Sequence, residues 1–229
     1  MLEYLMAGGL IIIPLILSSI VAMVVILSLF LTLKKSKVLP DGVAETARKL
    51  AMSGKVTPAH IKQIRDGSLL GRVLATGLES LGQPRHMMKE NIEESGRHVI
   101  HSMDKYMTTL GTIAAIAPLL GLLGTVIGMI SVFSVITAQG VGSPTELAGG
   151  ISQALVTTAF GISVAVPSLI FHRYFRGKIN DYAVEMEKEA IQLISAAQLR
   201  TNTNKTQQQQ RAPQRKPLMP KQTRKGQVA

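Results

Sequence analysis

Three long apolar stretches without a charged residue divide the chain, and between them the pattern changes to short amphipathic pieces rich in charge. The stretches run from Gly9 to Leu33, from Thr108 to Ala138 and from Leu147 to Phe171, the last bounded by Glu146 and by His172-Arg173. Each exceeds the ~20 residues that cross a hydrocarbon core of roughly 30 Å. A helix buried in a soluble protein can also be apolar all round, but three such runs in one short chain predict three transmembrane helices. The first does not read as a cleavable signal. Nothing basic precedes Gly9, the run is longer than the about 7–15 apolar residues of a signal, and Lys34, Lys35 and Lys37 follow it.

The segment between the first two spans predicts helices. Asp41 is placed to cap one that runs to about Met52 and ends at Gly54, and Thr57-Pro58 forms a second start signal with proline at the first helical position. Leu69, Leu70, Val73, Leu74, Leu78 and Leu81 recur at helical spacing over Ser68 to Leu81. From Pro84 the pattern passes through Met87, Ile92, Val99 and Met103 into the second span with no break signal, which predicts one helix from about Arg85 to Thr137. The third span continues likewise through Tyr174, Ile179, Tyr182, Met186 and Ile191 to about Leu199. The fold class is thus an all-α membrane protein with three transmembrane helices and long helical extensions. Its expected segments are an outer terminus (1–8), the first span (9–33), a helical loop (34–107), the second span (108–138), an outer loop (139–146), the third span (147–171), a helical extension (172–199) and a disordered basic tail (200–229).

Charge sets the orientation. Of the 25 Lys and Arg in 229 residues, 13 lie between Lys34 and Lys105 and 12 from Arg173 onward, with none before Gly9 or between Gln139 and Glu146. Positive residues stay on the cytoplasmic side during insertion, so the amino end is expected outside and the carboxyl end inside. The same segregation explains how a net charge of +11 coexists with a mean hydropathy of +0.26, and it removes the need for a nucleic-acid partner. The tail from Thr201, with its Gln207–Gln210 run and no aromatic residue, reads as a solvated segment able to rest on anionic lipid. Without cysteine there is no disulfide framework.

On a helical wheel, Ala114, Ala117, Pro118, Gly121, Gly124, Thr125 and Gly128 gather on one face of the second span. Gly150, Gln153, Ala154, Thr157, Thr158, Gly161 and Ala165 do so on the third. Small residues at four-residue spacing, as in Gly124-x-x-x-Gly128, let helix backbones approach closely in lipid, so the glycines are read first as packing residues. Pro118 and Pro167 are expected to bend their helices. Gln153, Thr157, Thr158 and Thr125 are the polar members: a threonine can satisfy itself one turn back, whereas a glutamine amide in hydrocarbon needs a partner or water. Together they suggest a polar surface facing a cavity or a partner helix. No titratable residue lies inside any span, and proton carriage through a membrane usually needs one, so a proton channel built on this chain takes that group from another subunit. Glu94, His98 and His101 share a helix face but read as surface residues rather than metal ligands. With no catalytic triad or phosphate loop, neither catalysis nor a cofactor is expected.

The run Ala117-Pro118-Leu119-Leu120-Gly121-Leu122-Leu123-Gly124-Thr125-Val126-Ile127-Gly128-Met129-Ile130, followed by Gly150-Ile151-Ser152-Gln153-Ala154-Leu155-Val156-Thr157-Thr158-Ala159-Phe160-Gly161, resembles the MotA/TolQ/ExbB proton-channel family, and most closely its ExbB branch. The resemblance covers roughly residues 105–180; the flagellar MotA branch, with four spans, fits less well. It implies a homopentamer around two single-span helices of an ExbD- or TolR-like partner that supplies an aspartate. Ion flow then drives relative rotation, with force passed to the outer membrane through a TonB-like protein. Thr125 and Thr158 match hydroxyl positions that face the ion path in the family. Gln153 departs from relatives that carry Glu there, so this subunit cannot itself relay a proton at that site. Adjacent Thr157 and Thr158 resemble sodium-driven relatives, which keeps sodium as the alternative to the preferred proton. A TolQ-like envelope-maintenance motor, a motility motor and a passive scaffold are the other readings.

Overall fold

The structure, a computed structural model, describes residues 9–140 and 144–211. A single 3-10 turn, Gly9–Ile11, leads into α1 (Ile12–Thr32), followed by α2 (Lys35–Val38), α3 (Val43–Ser53), α4 (Pro58–Gly67), α5 (Leu69–Glu79), α6 (Arg85–Asp104), α7 (Met107–Gln139) and α8 (Pro144–Arg211). Among the described residues every regular element is helical. Three stretches are long and apolar enough to cross a membrane: Gly9–Thr32, Arg85–Ala138 and Pro144–Arg200. The outer terminus (1–8), part of the outer loop (141–143) and the end of the tail (212–229) fall outside the described residues.

Two regions differ in how they are held together. The polar lobe, α2 to α6 with the distal half of α8, has a continuous core that joins Leu29, Leu33, Val73, Leu74, Leu78, Ile92 and Met103 to Phe175, Ile179, Met186 and Leu193. In the apolar half the second buried cluster is only Leu15, Ala117 and Ala165. There Leu119, Leu122, Ile130 and Leu155 stay about 60% exposed. Apolar side chains lose nothing by facing lipid tails, so helices in a membrane associate through close backbone packing instead.

Local signals explain most helix ends. Thr57 accepts from the His60 amide and Pro58 opens α4; Ser68 accepts from the Gly71 amide at 2.9 Å and opens α5. Gly54 ends α3 in the left-handed region at φ 69°, where glycine has no Cβ penalty. The cap of α3, however, is Gly42 at φ 86° with no side-chain cap bond, not Asp41. The chain turns sharply after Pro40, and only a left-handed residue makes that turn. Exposed Glu45 pairs with Lys49 one turn on, and the ammonium, by hydrogen bond and by charge, holds that carboxyl below its usual value.

The helix expected from Arg85 to Thr137 is two helices. Lys105 and Tyr106 interrupt the ladder, yet both keep right-handed dihedrals (φ −46°, ψ −41° and φ −97°, ψ −5°). Met103, Met107 and Leu110 stay buried on one stripe across the junction, so hydrophobic spacing carries no trace of the break. At two other positions the structure differs by one residue from the expected core: Met88, not the exposed Met87, faces the core, and Phe175 does so instead of Tyr174. Ile191 is exposed and Leu193 buried. In each case helical spacing itself favours the buried residue, since Met88 lies four before Ile92, Phe175 four before Ile179 and Leu193 seven after Met186. Helix α8 continues past Leu199 to Arg211.

Tyr182 ties the two regions together by donating its hydroxyl to the Leu33 carbonyl at 3.0 Å, satisfying an acceptor at the end of α1. Just above, Phe30 packs against Phe171, Tyr174 and Phe175 with ring centroids 5.0–6.3 Å apart. Arg48 anchors α3 to α8, donating to Gln192 and lying 3.8 Å from Glu189.

Candidate functional site

The small-residue faces of α7 and α8 lie against each other, running in opposite directions. A Cβ built on Gly121 would meet the Thr157 carbonyl oxygen at 3.1 Å and Gly161 Cα at 3.3 Å; one on Gly161 would meet the Ala117 carbonyl oxygen at 2.7 Å. One on Gly128 would stand 2.9 Å from both Ala154 Cβ and the Gly150 carbonyl oxygen, and one on Gly150 would lie 2.5 Å from Val132 Cγ2. Side chains at these positions would push the helices apart, so the glycines set the distance between them. Pro118 and Pro167 sit inside unbroken helices. Neither has an N–H to donate, which frees the carbonyls of Ala114 and Ser163 from the helical ladder.

The four polar candidates are treated differently by this packing. Thr157 is fully buried against Gly124, where a Cβ would come 2.2 Å from its Oγ1. That hydroxyl donates back to the Gln153 and Ala154 carbonyls, at 3.0 Å each. Thr158 is half-buried and crosses between helices, donating to the Gly121 carbonyl at 3.1 Å. Thr125 is half-buried and bonds its own helix at Leu122, 2.6 Å away. Gln153 turns toward α1, its Nε2 2.2 Å from where a Gly9 Cβ would be. The hydroxyls of 157 and 158 therefore join the α7–α8 seam, while Gln153 belongs to a contact with the first span.

The seam extends one turn further than the wheel suggested. Gly111 on α7 receives the His172 ring, with Nε2 3.0 Å from where a Cβ would stand. Continuing the Ala114–Pro118–Gly121 face back by one step, at helical spacing, is the signal that finds Gly111. Elsewhere, a cleft of about 950 Å³ between α6 and α8 is lined by Lys89, Arg97, Glu187 and Ile191 and contains none of the polar candidates. Glu94 and His98 approach to 4.0 Å on the exposed surface of α6. Among the described residues no group of three or more His, Cys, Asp or Glu is placed to hold a metal.

A tight, glycine-lined pair of membrane helices that brings threonine hydroxyls to its seam is suited to packing beside a partner. The model of the MotA/TolQ/ExbB proton channel family matches residues 65–188. The chain belongs to this family. Its match takes in the whole α7–α8 seam. The Biopolymer transport protein ExbB of Aquifex aeolicus (strain VF5) is 30% identical over 135 residues, 56% of this chain and 90% of that protein, placing the chain with the ExbB branch. As a MotA/TolQ/ExbB protein it is a multi-pass membrane channel subunit and not an enzyme.

Proposed function

We propose that this chain is the ion-conducting stator subunit of an inner-membrane motor that energises TonB-dependent transport across the outer membrane. In this reading five copies surround an ExbD-like single-span partner, the amino end is periplasmic and the carboxyl end cytoplasmic. The observation that carries it is the pairing of a polar, glycine-lined α7–α8 seam with spans that contain no titratable group. Such a surface can pass a proton only beside a helix that brings a carboxylate, and the partner's aspartate fills that role. Thr125 and Thr158 are the hydroxyls assigned to the ion route, and the ion is the proton, with sodium as alternative.

Co-purification with the products of neighbouring genes, followed by subunit counting, tests the assembly. The expected result is five copies of this chain with a single-span, aspartate-bearing protein. Recovery of the chain alone, in another ring size, overturns the reading. A second reading, a passive scaffold, draws support from the Thr157 and Thr158 hydroxyls, which are already satisfied within the protein.

A further inference from the structure

The face of α8 that carries Thr158 ends on a titratable residue. His172 lies 14 residues beyond Thr158, four turns less about 40° at 100° per residue, so both stand on the side turned to α7. Gly111 and Thr125 are separated by the same 14 residues on α7. The Gly111–His172 contact is thus the counterpart, about 21 Å along the helix axis, of the level at which Thr125 and Thr158 sit. Glycine at 111 leaves the room the imidazole occupies. The ring is half-buried, and no hydrogen bond or ion pair joins it to another described residue.

The charged and titratable groups that follow His172 on its own helix are Arg173, Tyr174, Arg176 and Lys178; Asp104, Lys105 and Tyr106 precede Gly111 at the α6–α7 junction, and Lys34 and Lys35 follow α1. Arginine, lysine, tyrosine and aspartate ordinarily titrate well away from neutrality. Imidazole is the side chain that ordinarily changes charge between about pH 5 and 8, and His172 brings it to the end of the seam.

We propose that His172 is the proton-exchange group at the cytoplasmic end of an ion path along the α7–α8 seam. This rests on the channel function and orientation proposed above and deepens them by naming where the proton leaves. A proton arriving along the seam bonds to one ring nitrogen, and the other nitrogen gives its own proton to cytoplasmic water. The ring returns to the neutral form and no electrons move.

The test is flux through the full chain reconstituted with its single-span partner in proteoliposomes, driven by an imposed potential, with proton and sodium supplied separately. The wild-type complex is expected to carry protons with an inflection as the cytoplasmic-side pH is varied. His172→Ala should lower proton flux by about a hundredfold or more, the scale of a positioned proton-transfer group, and imidazole in the cytoplasmic-side buffer should restore it. His172→Gln, which fills the space without titrating, covers the case in which the alanine variant does not assemble; it should assemble and lack the inflection. Wild-type flux and pH profile in His172→Gln would overturn the proposal, because filling space would then be enough. Flux lost in His172→Ala and not restored by imidazole would also overturn it. Flux carried by sodium alone would overturn it while leaving the channel intact. A wild-type complex that passes neither ion removes the channel reading itself, and this proposal with it.

Discussion

A threonine hydroxyl in a membrane helix ordinarily donates to a carbonyl three or four residues back on its own helix, and Thr125 and Thr157 do so. Thr158 donates to Gly121 on the neighbouring helix instead. A hydrogen bond of that kind in a membrane is worth about 0.6 kcal/mol, too little to decide assembly. Thr158→Val keeps the shape and removes the hydroxyl. The expected outcome is unchanged complex size by native mass analysis and at least severalfold weaker motor-dependent uptake. Normal uptake would take Thr158 off the ion route and leave it a packing residue. Thr157 has less freedom than its neighbour, since it is fully buried and doubly bonded, so its role in conduction is the weaker of the two.

At the scale of elements, the α7–α8 pair depends on a lack of side chains. Gly124 has the tightest fit on the seam, against Thr157 Oγ1. Gly124→Ala is expected to cost about 1–3 kcal/mol through overpacking, seen as a lower melting temperature of the purified complex. Thr157→Ala removes Oγ1 and Cγ2 but leaves its Cβ 2.5 Å from the new methyl, so the double variant should recover part of the loss. Additive losses in such a cycle would show that the two residues do not share this contact. In the lobe, Gly71 has a similar constraint of different origin. A Cβ there would stand 1.9 Å from the Ile64 carbonyl oxygen, because the Ser68 cap folds α5 tightly back on α4. Gly71→Ala should therefore destabilise the lobe more than Ser68→Ala, whose lost cap is worth about 1 kcal/mol. Urea unfolding followed by helical signal compares the two, and the reverse order would show that the α4–α5 turn relaxes freely.

For the whole molecule, the confinement of lysine and arginine to two segments predicts which side faces the cytoplasm. The chain has no native cysteine, so single cysteines report topology without background. Thr145→Cys should react with an impermeant maleimide applied to the periplasmic side of intact spheroplasts. Ser195→Cys, exposed on α8, should react only after lysis. Labelling of Ser195→Cys from outside would invert the arrangement and remove the cytoplasmic assignment of His172. The exposed aliphatic residues of α1, Leu17, Met23 and Val24 among them, fit contact with lipid or with further subunits of the ring.

Three uncharged runs of membrane-spanning length and a one-sided charge distribution are properties of composition along the chain. Hydrophobic transfer and insertion energetics act on them residue by residue, so the sequence determined the spans, the all-helical class and the small-residue faces. The Thr57 cap was legible for the same reason, whereas the Ser68 cap came only with the fold. Tertiary packing decided what is relational. It sent Gln153 to Gly9 and away from the threonines, and joined Thr158 to a carbonyl 37 residues earlier. It also loosened the ladder at Lys105-Tyr106 inside an unbroken apolar stripe, and seated His172 on Gly111. Spacing specifies a face of a helix. Which atoms of another helix meet that face depends on the register between two rods, and only the folded chain sets that register.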